Sequence, residues 1–469
     1  MVFSSFTFIF LFLPLVLCMY YIVPGRIFKN LVLIVSSLLF YSWGEPFYVL
    51  IMVLSILNDY TFSNLLVKAR ENNQPRKARV YFIISILINL GLLGFFKYYG
   101  FAVDNLNNLF NLNLVNHDLP LPIGISFYTF QTMSYSIDVY RRKVKVQKNI
   151  LTLATYVALF PQLIAGPIVR YIDVESDMEN RIESLPLIYE GTRRFIKGLA
   201  KKVLIANTMG FFADFIYNGN ILEHGTLILW LAAIAYALQI YFDFSGYSDM
   251  AIGLGKMFGF NFPENFNHPY MATSITDFWR RWHISLSTWF RDYLYIPLGG
   301  NNGGSLFQIR NLFIVWLATG LWHGASWNFI LWGLYYFVFL VLEKFLLADV
   351  LKKIPSIIKR IATLLVITVG WVIFRLEDFQ AMGTALSRMF VYNPLNTTSF
   401  LFDYQPILYT VPFMLAGIFF SFPLYKKMED KITGPGMRMA LDVTLLIVFM
   451  VSIMFLAGEN YNPFIYYRF

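Results

Sequence analysis

The chain has 469 residues, of which 57% are hydrophobic, 19% aromatic and only 14% charged, against roughly 25% charged in an average soluble domain. Lys and Arg outnumber Asp and Glu by 37 to 28, a net charge of +9. In so apolar a chain the excess marks the cytoplasmic loops of a membrane protein, and it excludes a nucleic-acid reader because no solvated basic patch is interleaved with aromatics. Cys18 is the single cysteine, which excludes an intrachain disulfide and a thiolate metal site.

The first residues, MVFSSFTFIFLFLPLVLCMYYIVPGR, have no basic stretch ahead of the apolar run and no small-residue cleavage site; Arg26 and Lys29 follow the run instead. They predict a retained membrane helix rather than a secretory signal. Further apolar segments follow at 30–44, 46–66, 80–100, 121–140, 150–169, 198–217, 226–246, 311–345, 357–374, 405–422 and 439–457. They run the length of the chain, so one polytopic all-α domain, residues 1–469, is expected, without the repeat of an inverted-repeat transporter.

Basic clusters at Lys68–Arg79, Arg141–Lys148, Arg193–Lys202, Lys352–Arg360 and Lys426–Lys431 set the cytoplasmic side, and NLNNLFNLNLVNHDLP and NGNILEHG, which lack Lys and Arg, belong outside. The segment 150–169 then lies between two cytoplasmic clusters and should enter and return, with Pro161 and Gly166-Pro167 suiting a break. Residues 311–345 are likewise flanked by cytoplasmic sequence. One straight helix of that length would measure about 52 Å against a hydrocarbon core of roughly 30 Å. The segment must break, and Gly320 and Gly324 flank His323 near its middle. The topology that results has about ten single passes and one hairpin, with both termini outside and 457–469 as an extracytoplasmic tail.

Of the five histidines, His117, His224 and His268 fall in loops, none with a histidine or carboxylate at ligand spacing, so no metal site is expected. His283 lies in TSITDFWRRWHISLSTWFRDYLYIPLGG, residues 273–300. Thr276 can cap a helix from Asp277, on which Trp279, Trp282, Leu286, Trp289, Phe290 and Tyr293 form an apolar stripe while Arg280, His283, Ser287 and Arg291 share another face. Such a helix either lies in the headgroup layer with its arginines on lipid phosphate, or holds the phosphates of a cytosolic acyl carrier.

His323, in GLWHGASWNF, has no charged neighbour. It is either a core histidine bonded to a carbonyl freed by the break, or a general base toward a hydroxyl, a role worth about 10² to 10⁴ in rate. Burial favours the neutral imidazole, and ionisable groups at membrane depth are functional by default, which favours the base. YFDFSGYSDMAIG, residues 241–253, carries Asp243 and Asp249; pairing with Arg280, Arg281 or Arg291 is their expected use. Ser245 lacks a GxSxG context, so a serine nucleophile is not expected.

The run TDFWRRWHISLSTWFRDYLYIPLGG (276–300) and GLWHGASWNFILWG (320–333), with LFPQLIAGPIVRY and YFDFSGYSDMAIG ahead of them, resembles the membrane-bound O-acyltransferase family over nearly the whole chain. Within it the likeness is to the bacterial branch that includes the alginate O-acetyltransferase membrane protein. The resemblance implies a ring of membrane helices with re-entrant segments around a central tunnel, His323 as the essential histidine deep inside it, and His283 as a second polar group that binds or orients substrate. It makes Trp279, Arg280, Trp282, Ser287, Arg291, Trp322, Asp243 and Asp249 candidates for the surroundings of donor and substrate, and Trp322 and Trp327 candidates for the tunnel wall. It further implies no permanently bound cofactor, an acyl thioester co-substrate (acetyl-CoA or a phosphopantetheine carrier protein), a polysaccharide acceptor, an extracytoplasmic SGNH-type acetyltransferase partner, and residence in a bacterial cytoplasmic membrane.

The final FIYYRF places Phe464, Tyr466 and Phe469 in an F-x-Y-x-x-F pattern that resembles an acyl-carrying C-terminal signature of related wall-modifying systems, making Tyr466 a candidate acyl relay. An interfacial aromatic belt accounts for the same residues equally well. Acetylation is favoured by the built-in tail and by YIPLGGN; D-alanyl transfer to teichoic acid is the alternative chemistry, and a transporter or export scaffold the alternative class.

Overall fold

The computed structural model describes every residue except 118, 165, 395–407, 430, 433, 459–460 and 464–469, and the described residues contain helices, turns and loops but no strand. In chain order the first helices are α1 (Thr7–Ile22), α2 (Arg26–Ser42), α3 (Val49–Glu71), α4 (Pro75–Phe110) and α5 (Ile125–Tyr140). Then come α6 (Ile150–Ala158), α7 (Phe160–Leu163), α8 (Tyr171–Asn180), α9 (Leu185–Ala200), α10 (Asn207–Tyr217) and α11 (Thr226–Met257). The remainder are α12 (Ile275–Arg281), α13 (Ile284–Phe290), α14 (Ser305–His323), α15 (Trp327–Val341), α16 (Ala348–Lys353), α17 (Ser356–Arg375), α18 (Phe379–Phe390), α19 (Val411–Ser421), α20 (Leu424–Glu429) and α21 (Pro435–Gly458). Among the described residues, six helices are long and apolar enough to cross a membrane: α3, α4, α11, α15 with its extension to Leu346, α17 and α21.

The chain divides into two compact units, Met1–Phe195 with Met250–Pro263, and Ile196–Asp249 with Glu264–Phe469; two boundaries fall inside α9 and α11 and the third in the loop after α11. In the first unit α3, α4 and α5 pack around a polar core. Asp59 of α3 is 1% exposed and accepts hydrogen bonds from Ser85 (2.5 Å) and Asn89 (2.9 and 3.0 Å) of α4 and from Ser136 (2.6 Å) of α5. A buried carboxylate is tolerable only when so satisfied, and donors from two neighbouring helices dictate which faces meet. In the same unit 150–169 breaks as its prolines suggest. α6 stops at Ala158 and α7 spans only Phe160–Leu163. The freed backbone is met by side chains, Ser37 accepting from the Phe160 N–H (3.0 Å) and Tyr156 donating to the Val169 carbonyl (2.9 Å).

The end of α9, which lies in the second unit, is continuous with α10 through a wide turn at Lys201–Ala206, where the Asn207 N–H reaches back five residues to the Lys202 carbonyl. Lys201 and Lys202 are therefore helical residues and not the end of a cytoplasmic loop, and the extra residue in the turn is a feature common at functional sites.

The segment 311–345 breaks after His323: α14 ends there, Gly324 and Ser326 are extended, and α15 starts at Trp327. The two glycines divide the work differently from the expected shared break. Gly320 is helical, and a Cβ on it would sit 2.5 Å from the Phe329 carbonyl oxygen, so its missing side chain lets α15 approach α14. Gly324 makes the break, where a side chain would overlap the Phe329 ring.

Candidate active site

The run around His283 is two short helices, not one. α12 begins at Ile275, capped by Ser274 rather than Thr276: Ser274 Oγ accepts from the Asp277 N–H at 3.0 Å. The Glu343 carboxylate takes the Ile275 and Thr276 N–H groups at 2.7 and 3.2 Å. The helix stops after Arg281, Trp282 is extended, and His283 has φ +44° before α13 restarts at Ile284. The expected common face of Arg280, His283, Ser287 and Arg291 is therefore not formed. His283 is buried at 1% exposure while Arg280 and Arg291 are exposed.

Asn265 is the cause of the turn. Its backbone carbonyl accepts the Ile284 N–H (3.0 Å), and its Oδ1 accepts the Ser285 N–H (3.2 Å) and the Ser285 hydroxyl (2.9 Å) and lies 3.1 Å from His283 Nδ1. A non-glycine residue held in the left-handed region costs of order 1–3 kcal/mol, and these bonds offset it. Because Oδ1 takes a backbone N–H while Nδ2 donates to Ser248 (3.2 Å), the amide oxygen faces the imidazole. His283 then carries its proton on Nδ1 and presents Nε2 as a lone-pair acceptor. His283 lies outside the six long apolar helices; burial, and after it the nearby His323, hold its pKa well below the ordinary 6.5, so it is neutral at neutral pH.

His323, 3% exposed at the end of α14, is held by rings. Trp322, Trp332 and Phe374 meet it edge-on with centroids at 5.1, 5.0 and 5.3 Å. Asn328 of α15 donates to the Phe374 carbonyl of α17 (3.0 Å) and ties the two helices together beside it. The Trp322 ring also lies 5.9 Å from His283, so both imidazoles abut one indole. A wider aromatic cluster continues the wall, with Trp279 against Trp316 (4.8 Å) and Tyr336 (4.9 Å), and Trp282 against Trp371 (4.8 Å). Trp327, expected in this wall, is 52% exposed; Trp332 and Phe374 take its place.

Asp243 and Asp249 pair with lysines, where arginines were the expected partners. The wide turn after α9 brings Lys202 to Asp243 (2.7 Å) and Lys201 to Asp249 (2.6 Å). Arg281 pairs with Asp277 at 2.8 Å and Arg291 with Asp292 at 2.7 Å. The Ser287 hydroxyl donates to the Trp279 carbonyl (3.1 Å), satisfying backbone at the break.

Lys202 also donates to the Pro463 carbonyl, Asn207 donates to the Tyr461 carbonyl (3.4 Å), and the Tyr461 hydroxyl donates to Asp214 (2.5 Å), which Arg375 also contacts (2.5 Å). Residues 461–463, which lead into FIYYRF, are thus pinned to the second unit. Tyr466 itself lies outside the described residues.

Residues 136–373, which include both histidines, match the sequence model of the MBOAT, membrane-bound O-acyltransferase, family. The chain is 40% identical to the "Probable alginate O-acetylase" of Pseudomonas putida, with 100% of both chains covered. It is 36% identical to the peptidoglycan O-acetyltransferase of Helicobacter pylori over 83% of this chain and 80% of that one. Similarity to the teichoic acid D-alanyltransferase of Bacillus subtilis, 30% identical, extends over 49% of this chain and 60% of that one. Two buried histidines against one indole, helices without strands and six of membrane length among the described residues, and these similarities agree: the chain belongs to the membrane-bound O-acyltransferase family and is a multi-pass membrane acyltransferase.

Proposed function

We propose that this enzyme transfers an acetyl group from a cytosolic thioester toward hydroxyls of an exported or cell-surface polysaccharide, with His323 as the general base. Similarity over the full length to an alginate O-acetylase, and over most of it to a peptidoglycan O-acetyltransferase, supports acetyl transfer; similarity to a D-alanyltransferase extends over about half. The observation that carries the chemistry is the pair of buried imidazoles against one tryptophan.

In this reading the attacking hydroxyl oxygen bonds to the thioester carbonyl carbon as His323 takes its proton. The intermediate then collapses, the C–S bond breaks, and the imidazolium returns the proton to the departing sulfur, leaving an ester and a free thiol. His283, with Nε2 as acceptor, takes a hydrogen bond from an N–H or O–H of bound substrate and orients it. Trp279, Trp282 and Trp322 wall the acyl path, and Arg280 and Arg291, both exposed, meet the phosphates of acetyl-CoA or of a phosphopantetheine carrier. Asp243 and Asp249, engaged by lysines, have no part in the chemistry. Tyr466 is the first hydroxyl to be acylated, on an extracytoplasmic tail of a protein in a bacterial cytoplasmic membrane, and an SGNH-type partner carries the acetyl group to the polymer.

The test is transfer by the purified protein in proteoliposomes supplied with radiolabelled acetyl-CoA or acetylated carrier. Label should enter the protein in ester linkage and be lost in Tyr466→Phe and in His323→Ala. Undiminished labelling of His323→Ala contradicts the base, and undiminished labelling of Tyr466→Phe contradicts the relay.

A further inference from the structure

The first unit contains a charge cluster to which the proposed acyl transfer assigns no role. Glu183 accepts from Arg26 (2.8 Å), from Lys29 and from the Tyr20 hydroxyl (2.6 Å), and Arg181 Nε stands 3.7 Å away. Arg26 also donates to the Arg181 carbonyl at 2.6 Å. Three cations converge on one carboxylate, which leaves the cluster with an excess of positive charge.

Arg181 is the unusual member, because its side chain is 0% exposed. Its Nε donates to Tyr20 (2.8 Å) and its guanidinium lies over the Phe260 ring at 4.7 Å, yet Nη1 and Nη2 have no hydrogen-bond partner among the described residues. Buried donors of a charged group are costly when unmade, about 1–3 kcal/mol or more each, and Glu183 is already shared among its neighbours. Side-chain exposure rises from Arg181 through Lys29 (16%) to Arg26 (32%), so the cluster has a closed floor and an open mouth. Two guanidiniums and an ammonium in that order suit an anion with several oxygens and more charge than a carboxylate.

We infer that Arg181, Arg26 and Lys29 form a binding site for a phosphate-bearing anion, independent of the histidine site. The cluster follows the apolar helix α1 directly and opens α2, the position at which basic side chains meet lipid headgroups. The anion is thus supplied either by an anionic phospholipid or by a soluble phosphate, and the experiment separates them.

The full-length protein in neutral detergent is titrated with phosphatidylglycerol, with a phosphate-free diacylglycerol glycolipid, and with inorganic phosphate, and its melting temperature is followed. Stabilisation by phosphatidylglycerol alone identifies a headgroup, and stabilisation by inorganic phosphate a soluble source. In either case the double substitution Arg26→Gln, Lys29→Gln should weaken the apparent affinity about tenfold or more. Glu183→Gln, which removes the competing carboxylate, should strengthen it, so a failure of the double variant to fold still leaves a reading of opposite sign. No stabilisation by either phosphate source, a glycolipid effect equal to that of phosphatidylglycerol, or an affinity unchanged in both variants overturns the site.

Discussion

His283 and His323 are almost equally buried, at 1% and 3% exposure, and the contacts described around them differ in kind. His283 is set by polar contacts: Asn265 fixes its turn, its tautomer and the direction of its lone pair. His323 stands at a helix end, with three aromatic rings edge-on to it. In the proposed function, the imidazole oriented by Asn265 holds substrate in one pose, and the imidazole framed by rings is where acyl group and hydroxyl meet. That division of labour is open to four tests.

The largest effect is expected at His323. His323→Ala should lower acyl transfer by about 10² to 10⁴, the range for loss of a general base, while the protein stays folded and inserted. A fall of less than about tenfold, outside that range, would break the distinction between the two histidines. Next comes the wall. Trp332, 0% exposed against His323 and Tyr336, should cost about 3–5 kcal/mol on truncation to Ala, read from denaturation in detergent, with transfer reduced by misplacement of His323. Asn265→Ala removes the acceptor shared by His283 and Ser285, for a cost of about 1–3 kcal/mol. Its expected signature is a raised KM at little-changed kcat, since it acts through substrate orientation; a pure kcat loss would argue that His283 is the base instead.

The smallest effect is on pH dependence. Folding keeps His283 neutral with a pKa well below 6.5, so below that value the unfolded chain binds the extra proton. Stability from this group is full above about pH 6.5 and is lost as pH falls toward the folded-state value. His283→Asn should flatten that part of the acid limb, and an unaltered limb would mean that other groups produce it.

Much of this was readable in the sequence where chemistry and neighbours agree. His323 stands out because nothing else near it ionises, and the break beside it follows from a segment too long for a bilayer. The partner of His283 was not readable. Asn265 lies in a loop with no periodic relation to His283, and the aromatic spacing of 279–293 imitates one uninterrupted helix because both short helices use the same stripe across a left-handed residue. Lys201 and Lys202 were misleading for a related reason. Lysines near an apolar segment look like loop charges, and only the wide turn, which no side-chain pattern announces, carries them to Asp249 and Asp243.

The most direct measurement is the O-acetyl content of surface polysaccharide from cells that express His323→Ala in place of the natural protein, with membrane levels matched. Acetylation is expected to disappear while the protein remains in the membrane. Acetylation at the natural level in those cells would contradict His323 as the general base.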